Sequence, residues 1–330
     1  MQKKFRFLRI LQNVIVAILG ICIIWVVTNQ VMTAVEKKKY PPIGQLVEVN
    51  GRDIHVYTKG KGENTIVLLS GLGTTAPALD FEPLVNELSK DNKVVVVEPF
   101  GYGWSDITNK KRTVENSVSE MREALQKSNI KGPYILMPHS VSGVYSMYYA
   151  NKYPDEVKAV IGIDPTLPKA LDYFKEEAPN IPSLMSVLAP SGLARLALLT
   201  SPNQYLPLAE EGTYTTKNLK MTKAISSWKG YNKNVIDEAK ELNNNINKTV
   251  DMSFPSKTPV MIFARKVNKE PKEGKSNITF YQNQLSHVSS QKLVVLQGHH
   301  YLHWTKYREM SEYVNNFIDT SINSSKKKYS

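Results

Sequence analysis

At 330 residues the chain can bury a large core, enough for one α/β domain carrying an inserted piece. Its formal net charge of +12 sits at the two ends, where Lys3, Lys4, Arg6, Arg9, Lys37, Lys38, Lys39, Lys326, Lys327 and Lys328 are offset only by Glu36. Residues 40–325 carry 32 basic against 29 acidic side chains, a nearly neutral body, which argues for a membrane surface and against a nucleic-acid partner.

The first predicted element is a membrane span over residues 8–27, "LRILQNVIVAILGICIIWVV". Nothing from Val14 to Val27 is polar, and Leu8 to Leu11 extends the run toward the roughly 20 residues a spanning helix needs. A cleavable signal peptide is the rival reading, but the run is long for that role and "TNQVMTAVEKK" offers a poor small-x-small cleavage site. Ile21 before Cys22 is not the small residue of a lipidation signal. The expectation is an uncleaved single-pass anchor, residues 1–39, in the cell membrane. Four basic residues precede the span and three follow it, a slight bias placing the body outside the cytoplasm. A body without cysteine suits that oxidising side.

Beyond Pro41-Pro42, "LVEVNGRDIHVYTKG" reads as a hairpin around Asn50-Gly51. Apolar, β-branched runs follow at 65–69, 93–97, 134–137, 159–163, 260–263 and 292–296, with helices expected near 79–90, 114–128, 142–152 and 306–319. Strands without polar alternation, separated by helices, predict a mostly parallel sheet covered on both faces. Residues 167–256 break that rhythm with a proline-punctuated, helix-like stretch too long for a connection, expected to be an inserted helical lid. The core is then 40–166 with 257–325, and 326–330 is a basic tail.

Within "YILMPHSVSGVYSMYYA" a lone serine, Ser140, stands between a strand and a helix among small or turn-forming residues. A serine hydroxyl becomes nucleophilic only with a base to take its proton and donors to hold the oxyanion that forms. In an α/β sheet such a residue must sit on a sharp turn beyond a strand's carboxyl end.

Pro138-His139-Ser140-Val141-Ser142-Gly143 resembles the nucleophile elbow of the α/β-hydrolase superfamily, with Pro138 and Ser142 in place of the usual outer glycines. The resemblance covers about residues 45–325. "LLSGLGTT" is similar to the family's oxyanion turn, implying backbone N–H donors at Leu72 and Val141, with Ser70 where a histidine often stands. "VVLQGHHYLHW" is similar to the segment carrying the family's base, which implies His300. The neighbouring His299 and His303 also invite a metal reading, but no carboxylate pattern accompanies them, so no metal is expected. "EPFGYGWSD" lacks the third glycine of a phosphate loop, and Gly274-Lys275-Ser276 lacks the upstream glycine; no cofactor is called for.

The acid departs from the commonest family pattern. Laid on "PVMIFARKVN", that pattern puts Asn268 at the acid position, and an amide carries no charge to stabilise an imidazolium. Some branches take the acid from the end of the preceding strand, where "AVIGIDPTLP" offers Asp164; Glu270 is the reserve. Asp164 as a mere turn cap before Pro165 is the bland alternative. The expectation is a membrane-anchored serine hydrolase acting on a small-molecule ester or related acyl substrate. A peptidase or amidase of the same fold, an acyltransferase and a non-catalytic ligand binder are its rivals.

Overall fold

The computed structural model describes residues 2–201, 206–267 and 274–323. Helix α1, Gln2–Lys39, is unbroken and about 57 Å long at 1.5 Å rise per residue. Its apolar stretch is solvent-facing, with a mean hydropathy of 2.6 in the most apolar window. It is long and apolar enough to cross a membrane, a property that a signal sequence shares. Strands β1 (Gln45–Val49) and β2 (Arg52–Lys59) pair antiparallel around Asn50-Gly51. Both turn residues have positive φ, as a two-residue primed turn demands.

The chain continues through β3 (Thr65–Leu69), α2 (Pro77–Asp80), α3 (Glu82–Leu88), β4 (Lys93–Val97), α4 (Val114–Lys127), β5 (Tyr134–Pro138), α5 (Ser142–Lys152) and β6 (Val157–Ile163). After a helical stretch come β7 (Val260–Arg265), α11 (Asn277–Leu285), β8 (Gln291–Leu296) and α12 (Tyr307–Phe317). The strands form one sheet in the order β1-β2-β4-β3-β5-β6-β7-β8, parallel from β4 onward. Alternate side chains of the buried strands feed two cores. Val67, Val95 and Leu136 pack with α4, α5 and α11, whereas Ile66, Leu68, Val96 and Ile135 pack with α3 and α12.

Two expectations need correction. The single helix over 79–90 is broken at Phe81, where Pro83 lacks the N–H that would continue it, and it stops at Leu88. Helix α11 was not anticipated; its start is set by a capping box in which the Ser276 hydroxyl accepts from Thr279 N and the Thr279 hydroxyl accepts from Ser276 N.

Between β6 and β7 lie α6 (Ala170–Phe174), a 3₁₀ turn (Ser183–Val187), α7 (Leu188–Ser191), α8 (Leu193–Thr200), α9 (Thr216–Lys229) and α10 (Lys233–Thr249). Helix α10 is fastened to the core by asparagines. Asn234 accepts from Thr108 N at 2.9 Å and donates to Thr108 O at 2.7 Å. Asn245 accepts from Val114 N at 2.7 Å and donates to Arg112 O at 3.0 Å. Both side chains are buried, so each satisfies two main-chain groups that water cannot reach. Asn234→Ala strands both groups of Thr108 and should cost about 2–4 kcal/mol in urea unfolding. The exposed Asn243→Ala should stay within about 0.5 kcal/mol. Equal effects would show that the asparagine contacts do not hold α10.

Candidate active site

The chain order reverses between β3 and β5, and the region beyond the carboxyl ends at such a reversal is where an open α/β sheet places its ligands. The loop after β3 supplies Ser70, Gly71 and Leu72; the turn after β5 supplies His139, Ser140 and Val141. Ser140 is half-buried with φ of 53°, a left-handed conformation that a side chain adopts only when its surroundings impose it. The constraint is visible in the backbone. His139 N donates to Leu69 O at 2.8 Å, Ser140 N to Ile163 O at 3.2 Å, and Thr166 N to Ser140 O at 2.8 Å. Close approach explains the small residues nearby. A Cβ on Gly143 would lie 2.5 Å from Thr166 O, and one on Gly71 would lie 2.9 Å from Ser140 Cβ.

Asp164 follows β6 in a second left-handed turn, φ 40°, with its N–H on Phe263 O at 2.7 Å. Its carboxylate is buried and its Oδ2 stands 2.7 Å from His300 Nδ1, so His300 donates from that nitrogen and carries its acceptor lone pair on Nε2. Arg265 Nε, at the end of β7, lies 3.2 Å from the same oxygen. Tyr281 of α11 donates to Pro165 O at 2.9 Å, closing the turn from below; burial, and then the charge of Asp164, push its hydroxyl pKa well up. The structure therefore brings Asp164 and His300 together, with Ser140 at the end of the strand next to the one that carries the acid. Ser140 Oγ is not hydrogen-bonded to His300 here; such contacts often tighten only when substrate is bound. Among the described residues the N–H groups of Leu72 and Val141 find no hydrogen-bond partner, as donors awaiting an oxyanion would. Asn268 and Glu270 lie outside the described residues.

The three histidines go separate ways. His299 is exposed and stacks on Trp304, while His303 is fully buried with Nε2 at 2.7 Å from Asp80 Oδ2. Trp304 Nε1 donates to the other oxygen of Asp80 at 2.8 Å. Sequence reading missed this pair, as it missed Arg265, because nothing local links residue 80 to 303 or 164 to 265. It also gave His139 no task. That ring is fully buried, its Nε2–H donates to His300 O at 3.3 Å, and it packs on the rings of His300 and Tyr301 at 4.8 and 4.5 Å.

The loop after β3 is tied to the helical insertion through one phenol. Tyr102 OH accepts from Gly73 N at 3.1 Å and donates to Glu238 Oε2 of α10 at 2.5 Å, and Tyr145 OH donates to the other oxygen at 2.7 Å. Glu238 thus fixes the loop next to Leu72 from the insertion side.

Burial, and then the neighbouring histidines, hold the His139 pKa well below its ordinary value, so the folded protein keeps this ring neutral. The unfolded chain takes up that proton below about pH 6.5, so this contribution to stability is present above that pH and lost as pH falls. Wild type should lose about 2 kcal/mol more between pH 6.5 and 5 than His139→Gln, measured by urea unfolding at each pH. Parallel pH profiles would contradict it.

With the geometry in place, comparison with known proteins is informative. The sequence pattern of the alpha/beta hydrolase fold matches residues 64–307. The uncharacterized protein YbdG of Bacillus subtilis is 33% identical over 273 residues, 78% of this chain and 80% of that protein. A 2-(acetamidomethylene)succinate hydrolase of Mesorhizobium japonicum is 32% identical over 124 residues, but those span only 37% of this chain and 42% of that enzyme. An epoxide hydrolase of Vigna radiata has the same fold, with a TM-score of 0.62 at 18% identity over 83% of this chain and 97% of that one.

Proposed function

The chain belongs to the α/β-hydrolase family, and from that premise we propose that it is a membrane-anchored serine hydrolase cleaving an ester or related acyl bond. The observation that carries the reading is the 2.7 Å contact of buried Asp164 with His300 Nδ1, at the same sheet edge as a serine held in a left-handed strand-to-helix turn. Ser140 Oγ attacks the carbonyl carbon as His300 Nε2 takes its proton, and Asp164 stabilises the imidazolium. The N–H groups of Leu72 and Val141 hold the oxyanion. Collapse expels the alcohol with the proton from His300, leaving the acyl group on Ser140. Water, deprotonated by His300, then attacks that ester and releases the acid. A serine favours acyl chemistry over epoxide opening, since its attack on an epoxide would leave an ether that the same machinery cannot hydrolyse.

The anchor reading is supported by what α1 touches. Glu36 near its end is held by Arg195 Nη1 at 2.6 Å and by Trp228 Nε1 at 2.8 Å, contacts that a leader destined for removal would not need. We place the helix in the cell membrane with the body on the extracytoplasmic side, and read residues 167–256 as a lid over an acyl-binding crevice.

Labelling the full chain in detergent with a fluorophosphonate probe tests the reading, because the probe needs only an activated serine. Wild type should label, Ser140→Ala should not, and Asp164→Asn should label about 10²–10⁴ times more slowly. Asn268→Ala should keep most of the rate. A folded wild type that does not label would favour a binding protein, and equal losses for Asn268→Ala and Asp164→Asn would move the acid elsewhere.

A further inference from the structure

The lower half of α1 is fastened to the insertion along one face. Arg195 of α8, buried, donates from Nε to Asn29 Oδ1 at 2.9 Å, from Nη2 to Thr33 Oγ1 at 3.2 Å, and from both terminal nitrogens to Glu36. Asn29 Nδ2 and Gln30 Nε2 donate in turn to the carbonyls of Ala189 and Pro190 in α7. At Gly192, between α7 and α8, the contact is tighter still. A Cβ there would lie 2.6 Å from Trp25 Nε1 and 2.9 Å from Asn29 Cβ.

These contacts set the insertion at a definite level along α1. Leu8 to Val27 spans about 30 Å of helix, the thickness of a hydrocarbon core. Trp25 lies about 3 Å inside the end of that stretch, and Glu36 about 14 Å beyond it. The α7–α8 corner therefore meets α1 where its apolar run ends. The corner's own surface matches that level. From Ser183 to Ser201 the one charged side chain is Arg195, which is buried. Leu184 and Leu199 are 76% and 69% exposed, and Val187, Leu193 and Leu196 are also exposed. The two segments meet at a bend of 78°. A leucine-lined corner whose one charged side chain is buried, beside a tryptophan near the end of the apolar run, suits a lipid surface and not water.

We infer that the α7–α8 corner is seated in the bilayer, and that Ser140 takes its acyl substrate from the lipid phase as an amphiphile. The inference deepens the proposed function and rests on the anchor reading. Its second half follows from continuity, since the insertion seated at one end by α8 holds the oxyanion loop at the other through Glu238 and Tyr102.

Depth-dependent quenching tests the seating without requiring turnover. The full chain carrying Cys22→Ser receives one new cysteine, at Leu193→Cys, Val27→Cys or Asp155→Cys, labelled with an environment-sensitive fluorophore. Each is reconstituted in phosphatidylcholine–phosphatidylglycerol vesicles. Lipids spin-labelled near the top of the acyl chain should quench positions 193 and 27 alike, and aqueous iodide should quench only the exposed position 155. Iodide quenching at 193 with lipid quenching at 27 would leave the anchor standing and overturn the seating. Shielding of 193 from both quenchers would also overturn it, a second copy covering the corner instead. Loss of lipid quenching at 27 would overturn anchor and seating together. For the substrate, Leu193→Gln with Leu199→Gln should slow a long-chain ester presented in vesicles about tenfold and leave a soluble acetate ester unchanged. Equal loss on both would overturn the lipid-phase assignment, whereas no fluorophosphonate labelling of wild type would reject the hydrolase reading itself.

Discussion

The interlocking of two left-handed turns is the constraint on which the site depends. Ser140 and Asp164 each occupy a backbone conformation that costs about 1 kcal/mol or more for a residue with a side chain. Neither turn stands alone, because Ser140 N donates to Ile163 O beside Asp164, and Thr166 N donates back to Ser140 O. The β5 and β6 ends are thereby locked in register, and each turn supplies the hydrogen bonds that the other needs. The glycine at 143 follows from this lock, since the chain after Asp164 passes so close that a methyl group would collide with Thr166 O.

The insertion packs apolar side chains such as Met221, Ile225, Leu242 and Ile246 on the core, and polar contacts at its edges add direction to that packing. Asn234 and Asn245 satisfy core backbone, Glu238 takes two phenols, and Arg195 is wrapped by α1. Such contacts are directional. They fix where α10 sits over the loop after β3 and where α8 sits along α1, which an apolar interface alone would leave free to slide. A buried arginine on Glu36 adds little net stability, but separating the two would leave a charge stranded in the interior. Helix α1 and the insertion are therefore joined by contacts that are costly to break singly.

Much of this was legible in the chain, and for physical reasons. Buried parallel strands read as uninterrupted apolar runs, so β3 to β8 were found within two residues at their starts and ends. The serine turn announced itself through the small residues it requires. Asp164 could be singled out because the amide of Asn268 cannot carry the charge, and the structure brings Asp164 onto His300. The hidden parts are pairs far apart in sequence, such as Asp80 with His303, Asp164 with Arg265 and Glu36 with Arg195. No periodicity marks them, since each is fixed by how the sheet and insertion bring distant segments together. The asparagines of α10 were equally silent, because the sequence shows only that they are numerous, not which ones face the core.

His139 shows why a residue with no assigned role belongs in the same arrangement. Its ring lies 4.8 Å from that of His300, centre to centre, so a charge on both would cost about 3 kcal/mol at an effective dielectric constant near 20. The proposed reaction requires His300 to become an imidazolium. Complete burial keeps His139 neutral, so that charge forms facing the carboxylate of Asp164 with no second cation beneath it. An aliphatic side chain would also be neutral but could not donate to His300 O, and a lysine could donate but would carry the charge that burial suppresses. A buried histidine meets both demands, supporting the His300 backbone while adding no charge beside the Asp164–His300 pair.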